Sequence, residues 1–434
     1  MKTKIYIILG ALMVTLFTSA QQKPWTLQQC VDTALVNNRN VKQQALTKKT
    51  REISYQQARL NLLPNLNASA NQSWSFGRSL TSSNTYQNIN SSQSSFGISS
   101  SLVLFDGLKM KYNIDGRKAD MYASQADLDK IKQDITTGVA AEFLQILLNK
   151  ELLQIATDQL ELTKSKIEQR KVLIEAGKMA EGEMYDLIAQ EYKEELSLLQ
   201  AKNTLNLSFL DLAQFMEIDH FEDLDIVAPG NLLESELHLL SADDVYKSAI
   251  THRAEVVGAE YRLKSSESNV QATKSDYYPS LNLGAQFGSG YYNLSGMQNK
   301  SFSDQFSNNM STSISLNLQI PIFNKFDVRN RVQTARIGVE SSKLSVDNAK
   351  LELKKSIQQA YFNAIGAKSR WDAAQKSEIA SREAYRFTNQ KYEAGRATLY
   401  ELYQAKSNLT QVLSEQAQAK YEYFFRIKLL ELLK

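Results

Sequence analysis

Proline and glycine are scarce in this chain. Five prolines and 17 glycines in 434 residues are roughly a quarter and a half of the usual content. Proline breaks helix interiors, so the proline-free stretches 65–228 and 322–434 have room for very long helices. A single cysteine, Cys30, excludes a disulfide scaffold, and with three histidines it excludes a Cys/His zinc cluster. Cys30 itself reads as a small apolar residue on a helix face. No charge predominates either: 50 Lys and Arg against 47 Asp and Glu leave a net +3, a poor basis for binding nucleic acid. A mean hydropathy of −0.37 with 22% charged residues excludes a polytopic helical membrane protein.

What is present begins with a leader. Lys2 and Lys4 precede an apolar run from Ile5 to Phe17, and Thr18-Ser19-Ala20 offers small residues at a cleavage site. Residues 1–20 are expected to be a signal peptide, with the mature chain starting at Gln21 outside the cytoplasm. The run is shorter than the ~20 apolar residues needed to span a bilayer.

The remainder is a tandem duplication. Ala34-Leu35 returns as Ala249-Ile250, and Leu63-Pro64-Asn65-Leu66 as Tyr278-Pro279-Ser280-Leu281, both at an offset of 215. Further on, Leu104-Phe105-Asp106 matches Ile322-Phe323-Asn324, and Glu175-Ala176-Gly177-Lys178 matches Glu393-Ala394-Gly395-Arg396, now at 218. The second copy therefore gains three residues between its proline and its Phe, where Ser/Asn/Gly-rich loops tolerate insertion. The first repeat is placed at 21–218 and the second at 241–434, with an acidic, irregular segment at 219–240 around Pro229-Gly230 as the seam.

Each repeat reads helix, strand, loop, strand, long helix, glycine turn, helix. Thr26 with Gln29 has the form of a capping box, and Ser241 with Asp244 that of an N-cap. The opening helices are expected to run unbroken to about Leu62 and Asp276, ahead of Pro64 and Pro279. Seven-residue apolar spacing (Leu153, Leu160, Ile167, Ile174; Ile337, Leu344, Leu351, Ile365) predicts long helices packed side by side as in coiled coils. At 1.5 Å per residue, a helix from 107 to 175 is about 100 Å long. Helices of that length suit the wall of a tube.

The four strands, at about 64–76, 94–105, 279–292 and 310–323, alternate between apolar and polar residues. One parity carries Leu66, Trp74, Ile98, Leu283, Phe287, Leu316 and Leu318; the other is almost purely Ser, Asn, Gln and Gly without charge. Val103 and Phe105 blur the end of the second strand. Alternation alone fits any half-buried sheet. The alternating stretches within them, 65–76, 94–105, 280–291 and 313–322, are 10–12 residues long, more than the ~5–6 of ordinary strands and close to the ~9–11 of membrane strands. The uncharged polar face suits a water-filled lumen, and aromatics cluster near strand ends as in an interfacial girdle. Four strands cannot close a barrel, and an open edge in lipid leaves N–H and C=O groups unsatisfied. Several copies must close it together: two would give eight strands, three would give twelve.

With these pieces placed, the chain resembles the TolC family of outer-membrane efflux and secretion channels. The resemblance rests on the duplication, on Ala58-Arg-Leu-Asn-Leu-Leu-Pro-Asn-Leu66, on Leu104-Phe-Asp-Gly107 and on Tyr392-Glu-Ala-Gly-Arg396. It implies an α+β membrane protein, a homotrimer whose tandem-duplicated helices form a periplasmic coiled-coil barrel. Four strands per chain would enter one shared twelve-stranded β-barrel in the outer membrane. It also implies a periplasmic adaptor protein and an inner-membrane pump as partners, and no cofactor or metal. Gly177 and Gly395 match the tip glycines where adaptors dock. Glu401 and Gln404 match positions that ring the periplasmic aperture, with Glu183 equivalent to Glu401 in the first repeat. Gln404 is neutral, so a double acidic ring is not expected. Ala397 stands where the family often has a latching arginine.

Other classes fit less well. A periplasmic coiled-coil adaptor would have one helical hairpin with short Gly-rich β segments, and a structural coiled-coil protein of an envelope-spanning complex would lack the strands. His220, His238 and His252 come with no paired Cys, nucleophile elbow or phosphate loop, so no enzyme is expected.

Overall fold

The computed structural model describes residues 24–80, 84–177, 181–219, 224–228 and 241–434. The stretch expected to be a signal peptide, Pro229-Gly230, His220 and His238 lie outside the described residues. The first repeat contains α1 (Leu27–Asn37), α2 (Arg39–Leu60), β1 (Asn67–Ser75), β2 (Arg78–Leu80), β3 (Tyr86–Asn88), β4 (Ser91–Phe105), α3 (Lys109–Glu175) and α4 (Gly182–Met216). The second contains α5 (Ala242–Ala249), α6 (Ala254–Lys274), β5 (Ser280–Leu294), α7 (Phe302–Asn308), β6 (Ser311–Gln319), α8 (Asp327–Glu393) and α9 (Leu399–Leu433). The two long helices have 67 residues each and the two closing helices 35 each, so the duplication is exact in length for these two helices of each repeat. Among the described residues no helix is long and apolar enough to cross a membrane.

Two compact units each draw on both repeats. One takes the described residues within 1–43, 129–252 and 352–434; the other takes those within 44–128 and 253–351. The first holds the helical tips, the second the sheet.

The Thr26 capping box and the Ser241 cap form as their sequences dictate. The opening helix, however, is not continuous. Asn38 has extended backbone (ψ 127°) and separates α1 from α2. Its N–H closes α1 on the Ala34 carbonyl at 2.8 Å, and its Oδ1 accepts from the amides of Asn40 (2.9 Å) and Val41 (3.4 Å). One side chain thus starts the second helix where the first ends. Arg253, the matching position in the second repeat, is likewise extended, buried and ion-paired with Glu255 at 3.3 Å. Cys30 is fully buried on α1, and burial pushes its thiol pKa up to about 11, as for an inert apolar residue.

Residues 224–228 lie against the first repeat. Trp25 and Ile226 form a parallel bridge, and Lys150 Nζ donates to the Ile226 carbonyl at 2.9 Å.

The sheet has the order β1-β4-β5-β6, antiparallel throughout. β4 and β5 run to 15 residues; β6 stops at Gln319, short of Pro321. The register shifts between Val103 and Phe105, so that Val103 faces Asn282 while Phe105 faces Leu281. This bulge returns Phe105 to the apolar face and explains the blurred alternation there.

Candidate functional site

Cross-strand register sorts the sheet residues into two faces. Rows such as Ile98↔Phe287 and Leu102↔Leu283↔Leu316 make one face; Ser69↔Gly97↔Gly288↔Ser311 and Ser99↔Gln286↔Ser313 make the other. The apolar face is largely open. Leu316 is 63% exposed, Leu318 58%, Trp74 65% and Phe287 48%. Ile98 is exposed as well and Leu283 half-buried, while Leu66 sits just ahead of β1, also exposed. So much contiguous apolar surface marks an interaction with a membrane or another protein. Polar residues interrupt it, among them a pair in which Ser94 Oγ donates to Gln72 Oε1.

At the tips, both glycines adopt left-handed backbone, φ +69° at Gly177 and +70° at Gly395. Arg396 N–H reaches back to the Lys391 carbonyl at 2.8 Å, closing the C-terminus of α8. Among the described residues, a Cβ added at either glycine would meet nothing within 4 Å. Each tip is therefore open backbone that another chain can approach closely.

Just past the second tip, Thr398 caps α9 in a full capping box with Glu401. Glu401 Oε2 accepts from Thr398 N–H at 2.6 Å and from its hydroxyl at 2.9 Å. The backbone hydrogen bond, with the hydroxyl second, holds the Glu401 carboxyl below the ordinary carboxylate range. The Thr-x-x-Glu signal is legible in the sequence, and the family-based reading passes over it. Gln404 lies one turn further on α9 and is exposed, as is Glu401.

Glu183 is engaged differently. Tyr392, from the second repeat, donates its hydroxyl to Glu183 Oε2 at 3.2 Å, and the Arg170 guanidinium lies 4.5 Å from the Tyr392 ring centroid. Burial is the leading cause that raises the Tyr392 pKa, so the phenol stays protonated and donates. The tie joins α4 to α8.

Sequence reasoning also missed a buried ion pair. Lys406 Nζ donates to Glu194 Oε1 at 2.7 Å, to the Gln159 carbonyl at 3.0 Å and to Thr163 Oγ1. Thr163 donates to Glu194 Oε2 at 2.6 Å, and Gln190 to Oε1 at 2.7 Å. Lys406 sits between buried Leu402 and Leu409 on α9; a lysine on an apolar stripe was the available signal. Burial lowers the Lys406 pKa, opposed by Glu194.

Two tandem helical hairpins joined to a sheet with one apolar and one polar face define a channel protein of the outer membrane, not an enzyme. The outer membrane efflux protein family model matches residues 30–216 and 245–425, and the chain belongs to that family. It is 24% identical over 405 residues to toxin and drug export protein A of Aggregatibacter actinomycetemcomitans, covering 91% of this chain and 83% of that one. It is 23% identical over 304 residues to protein CyaE of Bordetella pertussis, covering 68% of this chain. The matched stretch spans 62% of CyaE's length. In fold it is similar to the channel CusC, with TM-score 0.79 at 17% identity over 96% of this chain and 95% of that one. The architecture is the tandem helical barrel with a shared β-barrel, placed in the outer membrane with the helices in the periplasm.

Proposed function

We propose that the protein is the exit duct of a tripartite efflux or type I secretion system. Three copies close a twelve-stranded barrel whose apolar face, including Leu66, Trp74, Ile98, Leu283, Phe287, Leu316 and Leu318, meets lipid. The Ser/Asn/Gln/Gly face lines a water-filled lumen. An inner-membrane pump feeds substrate into the helical tunnel through a periplasmic adaptor that docks at Gly177 and Gly395. Glu401 and Gln404 border the aperture, with Glu183 at its margin. The observation that carries this reading is the division of the sheet into two faces of opposite character, joined to tips of bare backbone.

The docking part is tested by Gly177→Arg and Gly395→Arg. Among the described residues neither glycine has a neighbour that a side chain would strike, so the arginine is aimed at a partner, although positive φ adds some backbone strain. Export of drug or secreted protein is expected to be lost, with outer-membrane insertion and oligomer assembly retained. Normal export by both variants removes these glycines from the docking surface.

A further inference from the structure

The loop between β5 and β6 is built unlike its counterpart in the first repeat. There the connection is the β2–β3 hairpin; here it contains helix α7. β6 begins at Ser311, opposite Gly288, so the outer half of β5 has no β6 beside it. The segment carrying α7 occupies that place. Gln305 acts as a strand surrogate: its Oε1 accepts from Tyr292 N–H at 3.0 Å, and its Nε2 donates to the Tyr292 carbonyl at 2.9 Å. Asn309 Nδ2 donates to the Gly290 carbonyl at 2.7 Å, and Ser289 Oγ to the Phe306 carbonyl at 2.5 Å. A sheet edge away from water must be satisfied within the protein, and side-chain amides do so here.

Held in this way, α7 turns its rings onto the apolar face. Phe302 and Phe306 lie 6.4 and 5.8 Å from Phe96, and Phe302 lies 5.4 Å from Tyr291. Phe306 and Met310 border a groove of about 480 Å³ whose other large residues are Phe96, Ile98 and Phe287; the rest of its lining is small, the alanines Ala68 and Ala70, two glycines and the serines Ser69 and Ser289. The groove lies at mid-strand, since Phe287 is the central residue of β5. Its volume is within the ~300–1,000 Å³ of small-molecule sites, and no charged residue lines it. A headgroup has nothing to pair with there, whereas a hydrocarbon chain does.

We propose that this groove holds one acyl chain of an outer-membrane glycerophospholipid, with α7 lying in the bilayer as a wedge against the outer wall. The inference rests on the reading that this face meets lipid. The occupant follows from continuity: the groove is part of the same apolar surface, and bilayer hydrocarbon is what that surface contacts.

The test uses the full-length oligomer in phosphatidylcholine nanodiscs. Phe287→Cys, Phe306→Cys and Asn282→Cys are each labelled with bimane; the native Cys30 is fully buried and stays unlabelled. Lipid carrying a mid-chain nitroxide is expected to quench the labels at 287 and 306 strongly, and that at 282 little. In a second measurement, protein exchanged from phosphatidylethanolamine nanodiscs into detergent is weighed by native mass spectrometry. Wild type is expected to retain one phosphatidylethanolamine per subunit. Ala70→Phe, which fills the groove, and Phe306→Ala, which opens it, are expected to lose that lipid. If the label at 287 is quenched by aqueous iodide and not by nitroxide lipid, the wall reading itself fails. If 287 is quenched by lipid but 306 is not, or if wild type retains no lipid, the acyl-chain site alone is overturned. Equal retention by wild type and Phe306→Ala overturns it too, even if Ala70→Phe does not assemble. A groove filled by a second copy of the chain would leave 306 unquenched and no lipid retained.

Discussion

At Glu401 the carboxylate that would charge an aperture also caps a helix. Both tasks need the ionised form, and the hydrogen bonds from Thr398 favour it. Because the folded-state pKa is depressed, the capping contribution is fully present above the ordinary carboxylate pKa. It is lost only as pH falls through the lower folded value. Glu401→Gln separates the tasks, since Gln also serves in a capping box. Planar-bilayer recordings under asymmetric salt are expected to show weaker cation selectivity and weaker trivalent-cation block in this variant, with thermal stability little changed. Wild-type selectivity should persist on acidification through the usual glutamate range. An unchanged reversal potential in Glu401→Gln would mean that this residue does not line the pore. The Lys406–Glu194 pair makes a contrasting case, because its value depends on both partners. Removing one charge leaves the other buried and unpaired, so Glu194→Gln is expected to destabilise the helical region by about 3–5 kcal/mol. Replacing both, as Glu194→Leu with Lys406→Met, should recover most of that loss in denaturant unfolding followed by circular dichroism.

Secondary-structure elements follow the sequence wherever a single physical rule governs them. The long helices follow from missing proline and the strands from apolar–polar alternation, and that alternation supports a parity experiment. Leu283 lies in a row with Leu102 and Leu316, while Asn282 lies in a row with Val103 and Asn317. Leu283→Arg, on the apolar row but four residues from the centre of β5, is expected to cost up to the ~2–4 kcal/mol per chain of a midplane arginine, read as lost oligomer in assembly assays. Asn282→Arg should be far milder. Equal damage from both would refute the assignment of the faces. What was not legible depends on contacts distant in sequence. The break at Asn38 needs the Phe215 carbonyl, to which its Nδ2 donates at 3.3 Å, and Glu217, which accepts from Arg39 N–H at 2.7 Å. The bulge before Phe105 shows only once β5 is alongside, and α7 is held by the outer half of β5 on the side that β6 does not reach. The tip glycines were legible because positive φ is a local demand. Tyr392 stood in a recognised motif, but its bond to Glu183 spans 209 residues.

For the whole molecule, two features left open on one chain, the sheet edges and a stripe on α8, call for further copies. β1 and β6 are the two edges of the sheet, each paired on one side only among the described residues. On α8 a seven-residue stripe stands in solvent, with Ile337 70% exposed, Leu344 64% and Leu351 62%. Such spacing is the seam by which one helix packs against another, and fully burying each side chain contributes roughly 1.5–3 kcal/mol. Edge pairing and helix packing are therefore expected to form together, with no inserted monomer along the way. Detergent-solubilised protein should run as a trimer in sedimentation or native mass spectrometry. Leu344→Glu combined with Leu351→Glu should shift it towards monomer while leaving helix content intact, since glutamate is a good helix former. The same variant should form no pores in planar bilayers, because four strands alone leave two unsatisfied edges in hydrocarbon. A monodisperse monomer that conducts ions would show that one chain closes its own barrel, and the shared-barrel reading would fall with it.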